Sequence, residues 1–88
     1  MRYRSIYANR DHYYSVGVDD ETGEWLMEVV ITWVACYSIY FRLTPAEIGR
    51  FNQDHDALTD LSYELASDIG RSKFRDRLVL NERPEDYR

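Results

Sequence analysis

Between Trp25 and Leu43 every odd position is apolar: Trp25, Met27, Val29, Ile31, Trp33, Ala35, Tyr37, Ile39, Phe41 and Leu43. A period of two is the signature of a strand with one face buried. A single strand of this length would run about 60 Å at ~3.3 Å per residue, too far for so small a domain. A reversal or sharp bend is therefore predicted near Thr32 to Cys36. No Gly, Pro, Asn or Asp lies between Trp25 and Leu43 to ease it, so either an odd-numbered hairpin loop or a bulged, bent strand must keep the parity. Upstream, His12 to Val18 alternates with Tyr14, Val16 and Val18 on one face. Asp19-Asp20-Glu21-Thr22-Gly23 then reads as a hairpin loop, with Gly23 where a left-handed residue is wanted.

After Leu43 the period changes. Thr44-Pro45-Ala46-Glu47 combines a capping Thr, a Pro at the first helical position and a Glu three residues after the cap, which marks a helix start. Ile48 and Phe51 turn that helix onto the sheet. Asp54-His55-Asp56 offers a second cap, and Leu58, Leu61, Leu65 and Ile69 then recur at helical spacing. Gly70 falls where a helix-terminating glycine belongs. Ser72 reads as the cap of one more turn through Phe74, and Leu78-Val79-Leu80 as a final strand or docked tail. Glu82 to Arg88 reads as a frayed end. The pattern predicts one α+β domain over residues 1–88. An antiparallel meander of three or four strands (about 3–43) is followed by two or three helices (about 45–77) packed on one face.

Composition narrows the function. The chain has 88 residues, 16 acids against 11 bases and a net charge of -5. Such a surplus of acid opposes nucleic-acid binding, which needs Lys and Arg to displace counterions. No segment approaches the ~18 apolar residues of a membrane span. Arg2 and Arg4 are followed by no apolar stretch of the secretory kind, so the chain reads as cytoplasmic. Cys36 is alone, which excludes an internal disulfide, and with only His12 and His55 beside it no zinc site is expected. It reads as a small buried hydrophobe. There is no phosphate-cradling glycine loop, nucleophile elbow or HExxH pattern. Neighbouring positions in Asp54-His55-Asp56 point in different directions on a helix. No enzyme, metal or cofactor is predicted.

Charge is unevenly spread. Residues 1–10 carry three bases and no acid, residues 11–68 carry twelve acids against Arg42 and Arg50, and residues 69–88 carry six bases against four acids. Within the acidic middle, Asp56, Asp60, Glu64 and Asp68 stand at intervals of four. On one continuous helix they form a stripe in which like charges cost about 0.2–0.5 kcal/mol per pair. Either this face is solvated or paired internally to Arg71, Lys73, Arg75 and Arg77, or it meets a basic protein partner. Asp19, Asp20 and Glu21 in the hairpin loop would form a second acidic arm. Tyr is abundant, with eight residues, and Tyr3, Tyr7, Tyr13, Tyr40 and Tyr87 are not all needed by the core pattern. Tyr40 falls on the even sheet face with Glu28, Val30, Thr32, Val34, Ser38 and Arg42. A face mixing Tyr, Val and Thr with few charges resembles an interface, for a partner or for a second copy of the chain. Tyr40 and Tyr63 are candidate anchors.

The run from Glu28-Val-Val-Ile to Arg42-Leu-Thr-Pro-Ala-Glu-Ile-Gly-Arg-Phe, then Leu58 to Ile69 and Phe74-Arg-Asp-Arg, resembles small acidic bacterial proteins built as strands followed by helices. These include the immunity proteins of polymorphic toxin and contact-dependent inhibition systems. The resemblance covers about residues 24–77 and lies in architecture and charge. It implies a cytosolic inhibitor that docks on one basic toxin domain, with no family residues to carry over. The expected function is protein-binding inhibition through Asp56, Asp60, Glu64, Asp68, Asp19, Asp20, Glu21, Tyr40 and Tyr63. The alternative is a small homodimeric module.

Overall fold

In a computed structural model, which describes residues 1–32 and 36–82, the chain forms one antiparallel sheet with helices on one side. Its strands are β1 (Tyr3–Asn9), β2 (Tyr14–Asp19), β3 (Trp25–Thr32), β4 (Cys36–Arg42) and β5 (Leu78–Asn81). They lie in the order β1-β2-β3-β4-β5. The helices α1 (Pro45–Gln53), α2 (Thr59–Ala66) and the six-residue α3 (Asp68–Lys73) fall between β4 and β5. The α+β meander with helices on one face is as the pattern predicts, but the sheet has five strands rather than three or four. Leu78–Asn81 returns to pair along β4, taking up backbone groups of what would otherwise be an edge strand.

Thr32 pairs with Cys36 and Leu26 with Arg42 in one unbroken register, so the chain reverses between Thr32 and Cys36 without a loss of parity. Trp33, Val34 and Ala35, which the alternation also assigned to the two faces, lie outside the described residues, as does Tyr87. The odd positions Met27, Val29, Ile39, Phe41 and Leu43 join Tyr14 and Val16 of β2 in one buried cluster with Phe51, Leu58, Leu61 and Leu65 from the helices. Gly23 has φ +76°, and its N–H donates to the Asp19 carbonyl to close the β2–β3 loop.

The start of α1 is as predicted. Thr44 Oγ1 accepts from the Glu47 N–H at 3.2 Å, and Glu47 Oε1 accepts from the Thr44 N–H at 2.8 Å. Such a box satisfies two donors that the first helical turn leaves free. Arg77 then ties the end of the helical layer back, donating to Glu47 and, at 2.9 Å, to the Arg42 carbonyl.

The second predicted helix is where the structure departs. The Asp54-His55-Asp56 segment does not cap it. Asp54 Oδ1 accepts from the Asp56 N–H at 3.0 Å, the His55 ring stacks on Phe51, and α2 begins only at Thr59. Helix α2 stops at Ala66 because Ser67 turns extended (φ -86°, ψ 152°). Its Oγ donates to the Glu64 carbonyl at 2.7 Å and accepts the Gly70 N–H at 3.0 Å. A serine that bonds its neighbouring backbone competes with helix continuation, and here it caps α3 instead. Three expectations fall with this break. Ile69 does not continue the buried Leu58–Leu61–Leu65 stripe and is 85% exposed. Gly70 is interior to α3 rather than after a helix, and Ser72 lies inside α3 rather than capping a new turn.

Gly70 is required by close approach, because a Cβ there would lie 1.7 Å from the Glu64 carbonyl oxygen. Gly70→Ala is therefore expected to destabilise the fold by about 1–3 kcal/mol, the cost of overpacking. Urea denaturation checks it; an unchanged midpoint would mean that the α2–α3 junction can spread.

Candidate protein-interaction surface

The β1–β2 hairpin closes through Arg10, Asp11, His12 and Tyr13, with Asn9 paired to Tyr14. Asn9 Oδ1 accepts from the His12 N–H at 3.2 Å, a side-chain turn of the kind Asn favours. Closing so short a loop leaves Tyr13 at φ +57°, the only non-glycine with positive φ among the described residues. Its side chain is 56% exposed. A Tyr in the left-handed region costs on the order of 1–2 kcal/mol of backbone energy.

The hairpin tip leans on the helical layer. His12 Nδ1 and the Tyr63 hydroxyl are 2.6 Å apart and their rings meet edge to face. Tyr63, on the outer side of α2, is nonetheless 58% exposed. On the other flank Asp56 accepts from the Tyr7 hydroxyl and from Asn9 Nδ2, the latter at 3.2 Å. The hydrogen bond that the Tyr7 hydroxyl donates to Asp56 is the main cause pushing its pKa up to about 12. Two shallow clefts share His12. One, of about 410 Å³, is lined by Tyr7, Asn9, Asp11 and Asp56. The other, of about 350 Å³, lies between Tyr13, Ile31, Tyr63 and Ala66.

Tyr40 apart, the predicted site residues divide into three groups. Asp56 and Tyr63 touch the hairpin tip, while Asp60, in the first turn of α2, makes no ion pair among the described residues. Glu64 pairs with Lys73 Nζ at 3.2 Å, one of the internal pairings open to the acidic row. Asp68 opens α3 beyond the Ser67 break, so the four acids are not a stripe on one helix. The loop acids are remote from this surface and already engaged. Asp19 is only 4% exposed and accepts from the backbone N–H groups of Glu21 and Arg2 and from the Thr22 hydroxyl. Those two N–H groups, Glu21 first, hold its carboxyl below the usual range. Asp20 pairs with Arg4, and Glu21 with the Met1 amino group. They hold the loop and the first strand together rather than forming a free acidic arm.

Tyr40 is also not the exposed anchor expected on the even sheet face, being 8% exposed. Tyr3 packs edge-on against it with ring centroids 5.1 Å apart. Burial, then the charge of Glu28, raises the pKa of the Tyr40 hydroxyl. Burial also pushes Tyr3 up to about 12. Cys36 is exposed, contrary to its reading as a buried hydrophobe. No cluster of three metal-ligating side chains occurs among the described residues, and no helix among them is long and apolar enough to cross a membrane.

Sequence reasoning did not single out His12, Asn9 or Tyr13 as parts of one surface, because His12 and Asn9 meet Tyr63 and Asp56 across some fifty residues of chain. The local signal was Asn9-Arg10-Asp11-His12, polar residues between two alternating runs. No family model matches the chain, and neither a curated protein nor a solved structure does.

The shifted groups set two pH limits. The Tyr7 and Tyr3 hydroxyls lose protons less readily when folded, so their contribution is complete below the unfolded value of 10.0 and is lost as pH rises through about 12. Asp19, with its pKa lowered, contributes above its ordinary 3.8 and ceases to as pH falls through the folded value. Asp56→Asn is expected to lower the Tyr7 transition, read by phenolate absorbance. Asp19→Asn is expected to flatten the acid limb of stability. An unaltered phenolate titration would show that Asp56 does not hold Tyr7.

Proposed function

We propose that this protein is a protein-binding inhibitor, of the kind the immunity proteins represent, which docks a basic partner on the hairpin tip and the outer side of α2. The observation that carries the reading is Tyr13. The chain accepts an unfavourable backbone conformation and an exposed aromatic ring at the same position, and such outliers concentrate where a protein binds or reacts. Tyr63 presents a second half-exposed ring across the 350 Å³ cleft, its orientation held by His12. Exposed tyrosines in a shallow apolar cleft are typical binding anchors. Asp11 and Asp56 line the adjoining cleft at the hairpin tip, with Arg10 beside them and Arg50 held at the Ala57 carbonyl, and these acids are suited to attracting a positive surface.

The chemistry favours binding over catalysis. His12 is engaged by a tyrosine hydroxyl, His55 lies against Phe51 and Tyr7, and Cys36 stands where β4 begins, hydrogen-bonded to neither histidine. Self-association through the even sheet face has lost its expected anchor, since Tyr40 is covered by Tyr3.

The test is co-expression with the product of the adjacent reading frame, scored by growth and co-purification. Rescue of a toxic neighbour in a stable complex supports the reading, whereas a harmless neighbour with no complex removes it. Within a complex, Tyr63→Ala is expected to cost about 2 kcal/mol or more of affinity. Asp60→Lys is expected to slow association and reduce its salt dependence. Tyr13→Gly is expected to weaken binding while leaving the folded state at least as stable, because glycine adopts positive φ without strain. Affinity unchanged in all three variants would place the interface elsewhere.

A further inference from the structure

The sheet face that the helices do not cover carries an anion with no cation of its own. The strand register sets Ala8, Ser15, Glu28, Tyr40 and Leu80 in one row across the sheet. The half-buried Glu28 carboxylate accepts the Ser15 hydroxyl on Oε1 at 2.8 Å. Its Oε2 accepts the Ser38 hydroxyl at 2.8 Å and the Tyr40 hydroxyl at 3.2 Å. All three donors are neutral, and no Lys, Arg or His among the described residues pairs with Glu28. Neutral donors satisfy lone pairs but leave the charge uncompensated, which is costly away from water. Oε2 has spent both its lone pairs and Oε1 only one, so Oε1 can still accept.

Beside this carboxylate is a cleft of about 320 Å³ lined by Ala8, Arg10, Tyr13, Ser15, Glu28 and Val30. It opens where the row carries its two smallest side chains, Ala8 and Ser15. We propose that this cleft receives an arginine side chain of a protein partner. A guanidinium can donate to Glu28 while its flat face lies against the exposed Tyr13 ring, a combination that ammonium does not match. Its aliphatic stem suits Ala8 and Val30. Arg10, at the same cleft, is exposed and makes no ion pair among the described residues. Tyr13 lines both this cleft and the helix-side one, so a partner straddling the hairpin tip would reach both. The partner's being a protein rests on the binding function proposed above; the preference for a cation rests on Glu28 alone.

The experiment is an NMR titration of the isotope-labelled full chain with a tetra-arginine peptide amide, with tetra-lysine and tetra-citrulline as controls. Amide shifts are expected around residues 13–15 and 28–30, on the order of tenfold weaker for citrulline and for the Glu28→Gln variant, the scale of one charge-assisted hydrogen bond. Should Glu28→Gln fail to fold, Val30→Lys keeps Glu28, places a cation in the cleft and is expected to abolish the same shifts. Equal binding of citrulline and arginine peptides, or shifts confined to the surroundings of Asp56 and Asp60, overturns the cleft assignment without touching the proposed function. Shifts seen only in Arg10→Ala would make Arg10 the occupant and also overturn it. Normal arginine binding here alongside a neighbour that never forms a complex would instead remove the proposed function and keep the cation site.

Discussion

A sheet with one helical layer must protect its other face with its own side chains. Here the helices bury the odd positions of β3 and β4 against Phe51, Leu58, Leu61 and Leu65, and the described chain has no second layer to lay on the even positions. Yet Leu26, an even position, is fully buried. On the same face Tyr3 and Tyr40 pack edge to face and Glu28 gathers the hydroxyls of Ser15, Ser38 and Tyr40. A connected polar network of this kind satisfies its members and holds the rings in fixed orientations. The cost is a carboxylate without a counter-ion, and that cost gives the open face its chemical character.

Four ion pairs outside this network fasten the ends of the chain to its middle. Arg4–Asp20 and Met1–Glu21 hold the first strand to the β2–β3 loop, while Lys73–Glu64 and Arg77–Glu47 hold the last segment to the helices. These pairs join the basic ends to the acidic centre of the sequence. Exposed pairs contribute little each, but together they consume acids that would otherwise form one continuous negative surface. Asp11 and Asp56, in no ion pair among the described residues, lie at the hairpin tip. There the backbone strain at Tyr13 and the exposure of Tyr63 coincide with unpaired acid, and the candidate binding surface is smaller and more aromatic than a helical stripe would have made it.

The elements legible in the sequence are those set by local rules. The alternation from Trp25 to Leu43 determined the two central strands and their buried face, because a period of two admits no other regular structure. Thr44-Pro45-Ala46-Glu47 determined the start of α1, because capping is satisfied within four residues. Of the residues that net acidity and Tyr abundance singled out, Asp56 and Tyr63 both contact the β1–β2 hairpin tip.

Only the tertiary structure decided the rest, since each remaining outcome turned on a competition between distant partners. Asp56 can cap a helix or accept from Tyr7 and Asn9, and the sheet brings those donors to it. Asp19 and Tyr40 read as surface residues until the first strand folds over and supplies the Arg2 N–H and the Tyr3 ring. Ser67 could continue a helix or end it, and the close approach that only Gly70 permits decides for ending it. Glu28, one acid among sixteen in the sequence, becomes distinct because the register of three strands sets Ser15 and Tyr40 on either side of it.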